Sequence, residues 1–307
     1  MDPMAITEVG RAEAGAVGGA RDWLGPDWPH RDRSLFLRAA GLRWHCQVMG
    51  TGPAILLVHG TAASTHSWRD VATRLSGRFT VVIPDLPGHG MSELPPTRGL
   101  SMVAMADGLS GLLRALGVTP HVVAGHSAGA AVLARMCLDG RIDPAALVSV
   151  NGALLPLPHM PGPLFSALAF ALEKLPFVPM LMARRARHRD AVARLLADTG
   201  SRLDPLGIDL YARLLQRETH VAAALGMMAR WDLVTLAREL PRLGTKLILV
   251  VGTRDRTVAP NVAERVSRLV PGARIHRLDG LGHLAHEERP DEVSRIIAEA
   301  ATDGGST

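Results

Sequence analysis

Lysine is nearly absent from this chain: Lys174 and Lys246 are the only two, and arginine supplies the rest of the 34 basic side chains. Against 29 Asp and Glu they leave a formal net charge of +5, a balance that favours anionic partners such as acidic substrates or lipid headgroups. Aromatic residues make up only 4% of the chain. That is too few for base-stacking platforms, and no nucleic-acid motif occurs, so nucleic acid is not expected as a partner. Cysteine is equally scarce. Cys46 and Cys137 are the only two, too far apart to suggest a disulfide framework or a metal pair, and both read as small buried hydrophobes. No His/Cys/Glu grouping has metal-ligand spacing, so no metal and no cofactor is expected. A long uninterrupted apolar run is missing too. The most apolar stretch, Pro163 to Ala183, is broken by Glu173, Lys174, Pro176 and Pro179, whereas a spanning helix needs about 20 mostly apolar residues. Residues 1–22, rich in Gly and Ala, lack a basic segment followed by an apolar run; they read as a flexible arm and not as a signal peptide, as residues 303–307 read as a flexible tail.

What the chain does contain is apolar residue in quantity, 47% over 307 positions, enough for a sizeable core. Ser34 to Ala39 and Leu42 to Met49 read as a hairpin around Gly41. In its second arm Leu42, Trp44, Cys46 and Val48 alternate with polar residues, as in a strand buried on one face, which would leave His45 facing outward. Continuous apolar runs follow at Ala54–Val58, Thr80–Ile83, His121–Ala124, Ala146–Val150 and Lys246–Val251; such runs suit strands covered on both faces. Helix-period segments alternate with them: Trp68–Leu75, Met102–Leu116, Ala128–Leu138, Val262–Leu269 and Glu292–Ala300. The alternation predicts an α/β fold, a doubly wound and mostly parallel sheet. Only 154–240 lacks a convincing strand. It reads as a helical cap inserted into a core of residues 23–153 and 241–302, placed to cover the carboxyl ends of the strands, where ligands bind in such sheets.

Three residues that follow separate strands carry the chemistry. Gly125-His126-Ser127-Ala128-Gly129 sits between a strand and a helix, the context in which G-x-S-x-G makes a sharp turn that exposes the serine hydroxyl. A serine needs a base to take its proton; His283, in Gly280-Leu-Gly-His283, is the choice over its neighbour His286 because the preceding glycine suits a tight loop. The base needs an acid to fix its tautomer, and Asp255 follows the strand ending at Val251. The order Ser127, Asp255, His283 is that of a hydrolase triad. For the oxyanion, the backbone N–H groups of Ala128 and Thr61 are expected donors. Gly60, His66, Trp68, His126, Asn151, Met227 and Trp231 are expected around the substrate. The competing reading of the stretch Thr65 to Trp68 is a loop that caps the following helix. Asp85-Leu-Pro-Gly-His-Gly90 reads as a structural turn, since it lacks the lysine and spacing of a phosphate loop.

With His59-Gly-Thr61 and Gly282-His283…Glu288-Arg-Pro290, these motifs resemble the α/β-hydrolase superfamily from about Ser34 onward. Longer strings, among them Asp27-Trp-Pro-His-Arg-Asp-Arg33, Thr65-His-Ser-Trp-Arg69, Met227-Met-Ala-Arg-Trp-Asp232 and Gly280-Leu-Gly-His-Leu-Ala-His-Glu287, are similar to the BchO-type magnesium-chelatase accessory proteins of bacteriochlorophyll synthesis. Ala62 departs from the glycine expected in the oxyanion loop. The resemblance implies a cytoplasmic protein, in one version peripheral at the inner or photosynthetic membrane, acting around magnesium insertion into protoporphyrin IX, with magnesium-chelatase subunits as partners. It fixes no reaction, because chelation needs no serine nucleophile.

Two readings therefore stand side by side. One is a serine hydrolase acting on a small-molecule ester or related carbonyl. The other is a non-catalytic protein holding a porphyrin or chlorophyll precursor, or a chelatase subunit, in the capped cleft. For the second, Phe165, Phe170, Phe177, Met180, Met182, Met227, Met228 and Trp231 would offer an apolar wall, and Arg184, Arg185, Arg187 and Arg189 would meet propionates or lipid phosphates; the plainer alternative makes these residues cap core and solvated face. The run from Pro163 to Ala183, apolar and followed by basic residues, also has the composition of an interfacial membrane anchor.

Overall fold

The computed structural model describes residues 25–156, 175 and 177–302. The expected arm and tail, Phe165, Phe170 and most of the apolar run from Pro163 lie outside the described residues.

Eight strands form one sheet: β1 (Ser34–Ala39), β2 (Leu42–Met49), β3 (Ala54–Val58), β4 (Thr80–Pro84), β5 (Val122–His126), β6 (Ala146–Val150), β7 (Lys246–Gly252) and β8 (Arg274–Leu278). Their order is β1-β2-β4-β3-β5-β6-β7-β8. The hairpin β1–β2 joins β4 antiparallel, and every pairing from β4 to β8 is parallel. The helices of the core are α1 (Arg69–Leu75), α2 (Met102–Leu116) and α3 (Ala128–Leu138). Between β6 and β7 come α4 (Phe177–Arg185), α5 (Arg189–Asp198), α6 (Pro205–Leu215), α7 (Glu218–Ala229) and α8 (Leu233–Glu239). The chain then adds α9 (Asn261–Leu269), α10 (Ala285–Glu288) and α11 (Pro290–Thr302).

Side chains alternate across a strand, so each apolar run feeds two cores. Leu56, Val58, Val82, Val123, Leu147 and Leu249 pack on one face with Met105 and Leu109 of α2, Leu133 of α3 and Val266 of α9. Ile55, Leu57, Val81, Ile83, Val122, Val148 and Val250 pack on the other with Val71 and Leu75 of α1 and Ile296 and Ile297 of α11. This double coverage is why these strands carry almost no polar residues.

The hairpin departs from the expected half-buried strand. From Trp44 to Met49 every residue of β2 is buried, and His45 is fully inside, its Nδ1 2.6 Å from Asp85 Oδ2 and its Nε2 2.9 Å from Ser34 Oγ. Residues 28–30 approach this face, with Trp28 buried and the carbonyls of Pro29 and His30 accepting from the Gln47 amide, and Phe36 of the paired β1 is buried beside His45. The alternation of β2 marks two environments, one apolar and one hydrogen-bonded, and not a wet face. Cys46 is buried as expected, whereas Cys137 is only half-buried, near the end of α3.

Candidate active site

Because β3, β5, β6, β7 and β8 are parallel, the segments following them gather at one edge of the sheet. There stand His59–Thr61, Ser127, Asn151, Asp255 and His283. Ser127 occupies the turn between β5 and α3 with φ 49° and ψ −116°, a strained conformation for a side chain with a Cβ. The flanking glycines allow it. A Cβ on Gly129 would stand 2.3 Å from Val58 O, and one on Gly125 2.5 Å from Ala130 N, so only glycine lets α3 start this close to β3 and β5. The turn is held by Ser127 N donating to Val150 O at 3.0 Å, and by Ala130 N and Ala153 N donating to Ser127 O.

His283 and Asp255 are both buried, with His283 Nδ1 2.8 Å from Asp255 Oδ2. The other carboxylate oxygen of Asp255 accepts from Thr257 N and Val258 N at 2.7 and 2.9 Å, which aims the group at His283. The histidine loop is braced from two sides. Asn151 Nδ2 donates to Gly282 O and His283 O, and Asn151 Oδ1 accepts from Gly252 N. From the insertion, Thr199 O accepts from His283 N and Ser201 Oγ from Leu284 N.

Ser127, Ala128, Thr61, His126 and His283 line one cavity of about 730 Å³ with Trp231, Met182, Met228 and many aliphatic side chains of the insertion. Such a volume suits a drug-sized apolar ligand. Of the other residues expected around the substrate, His126 and Trp231 are on the wall, but His66, Trp68, Met227, Asn151 and Gly60 are not among its lining. His66 is sealed between Trp28 and Tyr211, and Trp68 meets His286 at a tilt with ring centroids 4.5 Å apart; the short 3-10 turn Thr65–Trp68 points these rings into the core. Met227 is fully buried, its sulfur accepting from Thr61 Oγ1. A Cβ on Gly60 would stand 2.8 Å from His126 Nδ1, so Gly60 serves close packing. Phe177 of α4 is 54% exposed, and Arg184, Arg185, Arg187 and Arg189 are surface residues off the cavity, Arg189 paired with Asp209.

Several buried groups have partners that the sequence does not show. Asp85 is a hub that also accepts from Thr65 N and Met91 N; ring nitrogens and backbone donors hold its carboxyl down at about 2 despite burial. Glu287 of α10 is enclosed between Arg69 of α1, 2.7 Å away, and the hydroxyl of Tyr211 in α6, 2.9 Å away. Burial pushes the Glu287 carboxyl up to about 7 against the pull of Arg69. His286, sandwiched between Trp68 and His126, is held well below the usual histidine range by burial.

The sheet and the strained serine turn define the α/β-hydrolase class, and residues 55–296 match the alpha/beta hydrolase family, to which this chain belongs. Within it, the chain is 38% identical over 278 residues to the magnesium-chelatase 30 kDa subunit of Rhodobacter capsulatus, covering 89% of this chain and 96% of that one. Haloalkane dehalogenase 2 of Mycobacterium tuberculosis is 26% identical over 269 residues, 84% of this chain and 91% of that one. Among solved structures, a thermophilic esterase from Thermogutta terrifontis superposes with a TM-score of 0.71 at 25% identity, over 89% of this chain and 99% of that one. In the described residues no helix is long and apolar enough to cross a membrane.

Proposed function

We propose that this protein is a serine hydrolase for a bulky apolar ester or related carbonyl compound. The observation that carries the reading is the buried His283–Asp255 pair, 2.8 Å apart, whose histidine lines the same cavity as the strained Ser127. With Nδ1–H donated to Asp255, the His283 Nε2 lone pair is available to take the Ser127 proton as Oγ attacks the carbonyl carbon. The carbonyl oxygen becomes the oxyanion, received by the N–H groups of Ala128 and Thr61. The proton on His283 then passes to the leaving alcohol, and water activated by the same histidine releases the acid from the acyl-enzyme.

Ser127→Ala should leave fold and melting temperature intact while lowering ester turnover by roughly 10⁴-fold or more and abolishing labelling by a serine-directed phosphonate. Undiminished labelling of the variant would overturn the assignment.

A second reading, a tetrapyrrole carrier or chelatase partner that does no chemistry, is favoured by the identity with the chelatase subunit and by the size and apolar character of the cavity. Complementing a pigment-deficient host with Ser127→Ala at matched protein level separates the two. Failure to restore pigment supports turnover, and full restoration supports carriage.

A further inference from the structure

We propose that His220, on helix α7 of the insertion, is a positioning residue that holds the oxyanion loop and makes the geometry of that loop depend on the seating of the cap. This rests on the hydrolase reading in assigning the loop a role in turnover; the bracing itself stands on the contacts alone.

The loop Gly60-Thr61-Ala62-Ala63 is a tight turn closed by Ala63 N donating to Gly60 O at 3.2 Å. Its third residue, Ala62, has φ 60°. For a residue with a Cβ the left-handed region is strained, so the turn needs outside support where glycine would need none. Two imidazoles flank it. His59 accepts Leu86 N on Nε2 at 2.9 Å, so its Nδ1 carries the proton and donates to Gly60 O at 2.8 Å. His220 accepts Gly90 N on Nδ1 at 3.1 Å, so its Nε2 carries the proton and donates to Ala62 O, also at 3.1 Å. The carbonyls on either side of Thr61 are thus both held, and the Gly60 carbonyl belongs to the same peptide as the Thr61 N–H.

His59 is part of the core, next to the loop in sequence. His220 arrives from the insertion, 158 positions along the chain from Ala62, and is 1% exposed. His89 packs between the two, its ring 5.4 Å from His59 and 5.2 Å from His220. Burial depresses all three histidines, His220 to about 4, which keeps them neutral so that each can both donate and accept at neutral pH. Thr61 Oγ1 adds a second tie to α7 through Met227 Sδ at 3.5 Å. A cap that shifts would release Ala62 O, since the His220 bond joins the far carbonyl of the turn to α7.

The test uses two isosteres in the full chain. In His220→Gln the amide nitrogen takes the place of Nε2 and keeps the donor to Ala62 O; in His220→Asn the amide oxygen takes the place of Nδ1 and keeps only the acceptor for Gly90 N. With an aryl ester as probe, His220→Asn should lower kcat by roughly tenfold to a hundredfold with KM little changed, as for a misplaced oxyanion donor. His220→Gln should stay within about threefold of wild type, the residual reflecting one lost neutral hydrogen bond. Amide hydrogen exchange in the peptide spanning 59–64 should accelerate in the Asn variant only. Equal behaviour of the two variants, whether both match wild type or both fall together, would overturn the proposal. If wild type neither turns over esters nor takes the phosphonate on Ser127, the hydrolase reading has failed, and the exchange comparison still decides whether His220 braces the loop.

Discussion

The sheet edge and the helical insertion meet in one cavity but are built on different terms. At the sheet edge the polar side chains of Asp255 and Asn151 have fixed partners: Asp255 has two backbone donors and a histidine, and Asn151 spans three backbone groups. The insertion gives the cavity mainly apolar wall, and it leaves Phe177, Leu181, Met182, Leu195 and Val234 strongly exposed. Hydrogen-bonded geometry is directional and enforces one arrangement; apolar packing tolerates many. The edge is thus suited to hold reacting groups and the insertion to accept a range of apolar shapes. The two are tied at a few polar points: His220 to Ala62, Thr199 and Ser201 to the His283 loop, and Tyr211 and Asp204 to the Arg69–Glu287 pair.

The division is tested first at the rigid side. Asp255→Asn preserves shape but favours the wrong histidine tautomer, so kcat for an ester should fall by roughly 10⁴-fold with little change in KM; a variant within tenfold of wild type would remove Asp255 from the mechanism. Next comes the joint. Arg69→Met strands the enclosed Glu287, and breaking one side of a buried pair costs about 3–5 kcal/mol. Because Glu287 sits near neutrality and can take up a proton, the lower end is expected, read as a reduced urea midpoint. A loss below about 1 kcal/mol, the ceiling of an exposed pair, would mean the joint is not fixed by this pair.

On the tolerant side, Met228→Trp narrows the cavity from the insertion. It should raise KM for a bulky aryl ester by about tenfold, the scale of one misfitted apolar group, while leaving turnover of the smallest ester nearly unchanged. A matching loss with both substrates would show that the insertion controls chemistry as well as fit.

The smallest effect is on pH. His59, His66, His89, His126, His220 and His286 all sit below their usual value of 6.5 because burial disfavours the cation. Below 6.5 the unfolded chain therefore binds more protons than the folded one, and stability falls as pH drops through that window. Glu287, raised from 4.5 to about 7, works the other way: between those values the folded state binds the extra proton, and its contribution declines as pH rises. Six groups outweigh one, so the melting temperature should drop between pH 7 and pH 5, and more steeply in Glu287→Gln. A flat or inverted profile would contradict the neutral, buried state of these rings.

Much of the sheet was legible because burial on both faces imposes a continuous apolar code. The runs at 54–58 and 146–150 are strands to the residue, and the helices 102–116 and 128–138 likewise. The strand ends ahead of Ser127, Asp255 and His283 were legible for a related reason: an apolar run stops there and glycine marks the turn that follows. His45 was misread because period-two alternation tells that two faces differ, not that one is wet. His66 and Trp68 were misplaced because sequence nearness to the oxyanion loop does not fix the direction in which a short 3-10 turn aims its rings.

Local sequence pattern was enough for the parallel sheet and for the strand ends ahead of the candidate triad, because periodicity and glycine act over a few neighbouring residues. Only the tertiary structure decided that Glu287 lies enclosed between Arg69 and Tyr211, that Asn151 supports the histidine loop instead of lining the cavity, and that His220 reaches Ala62. Those contacts join groups from 76 to 218 positions apart, and no local pattern encodes which buried polar group will satisfy another once the core has closed around both.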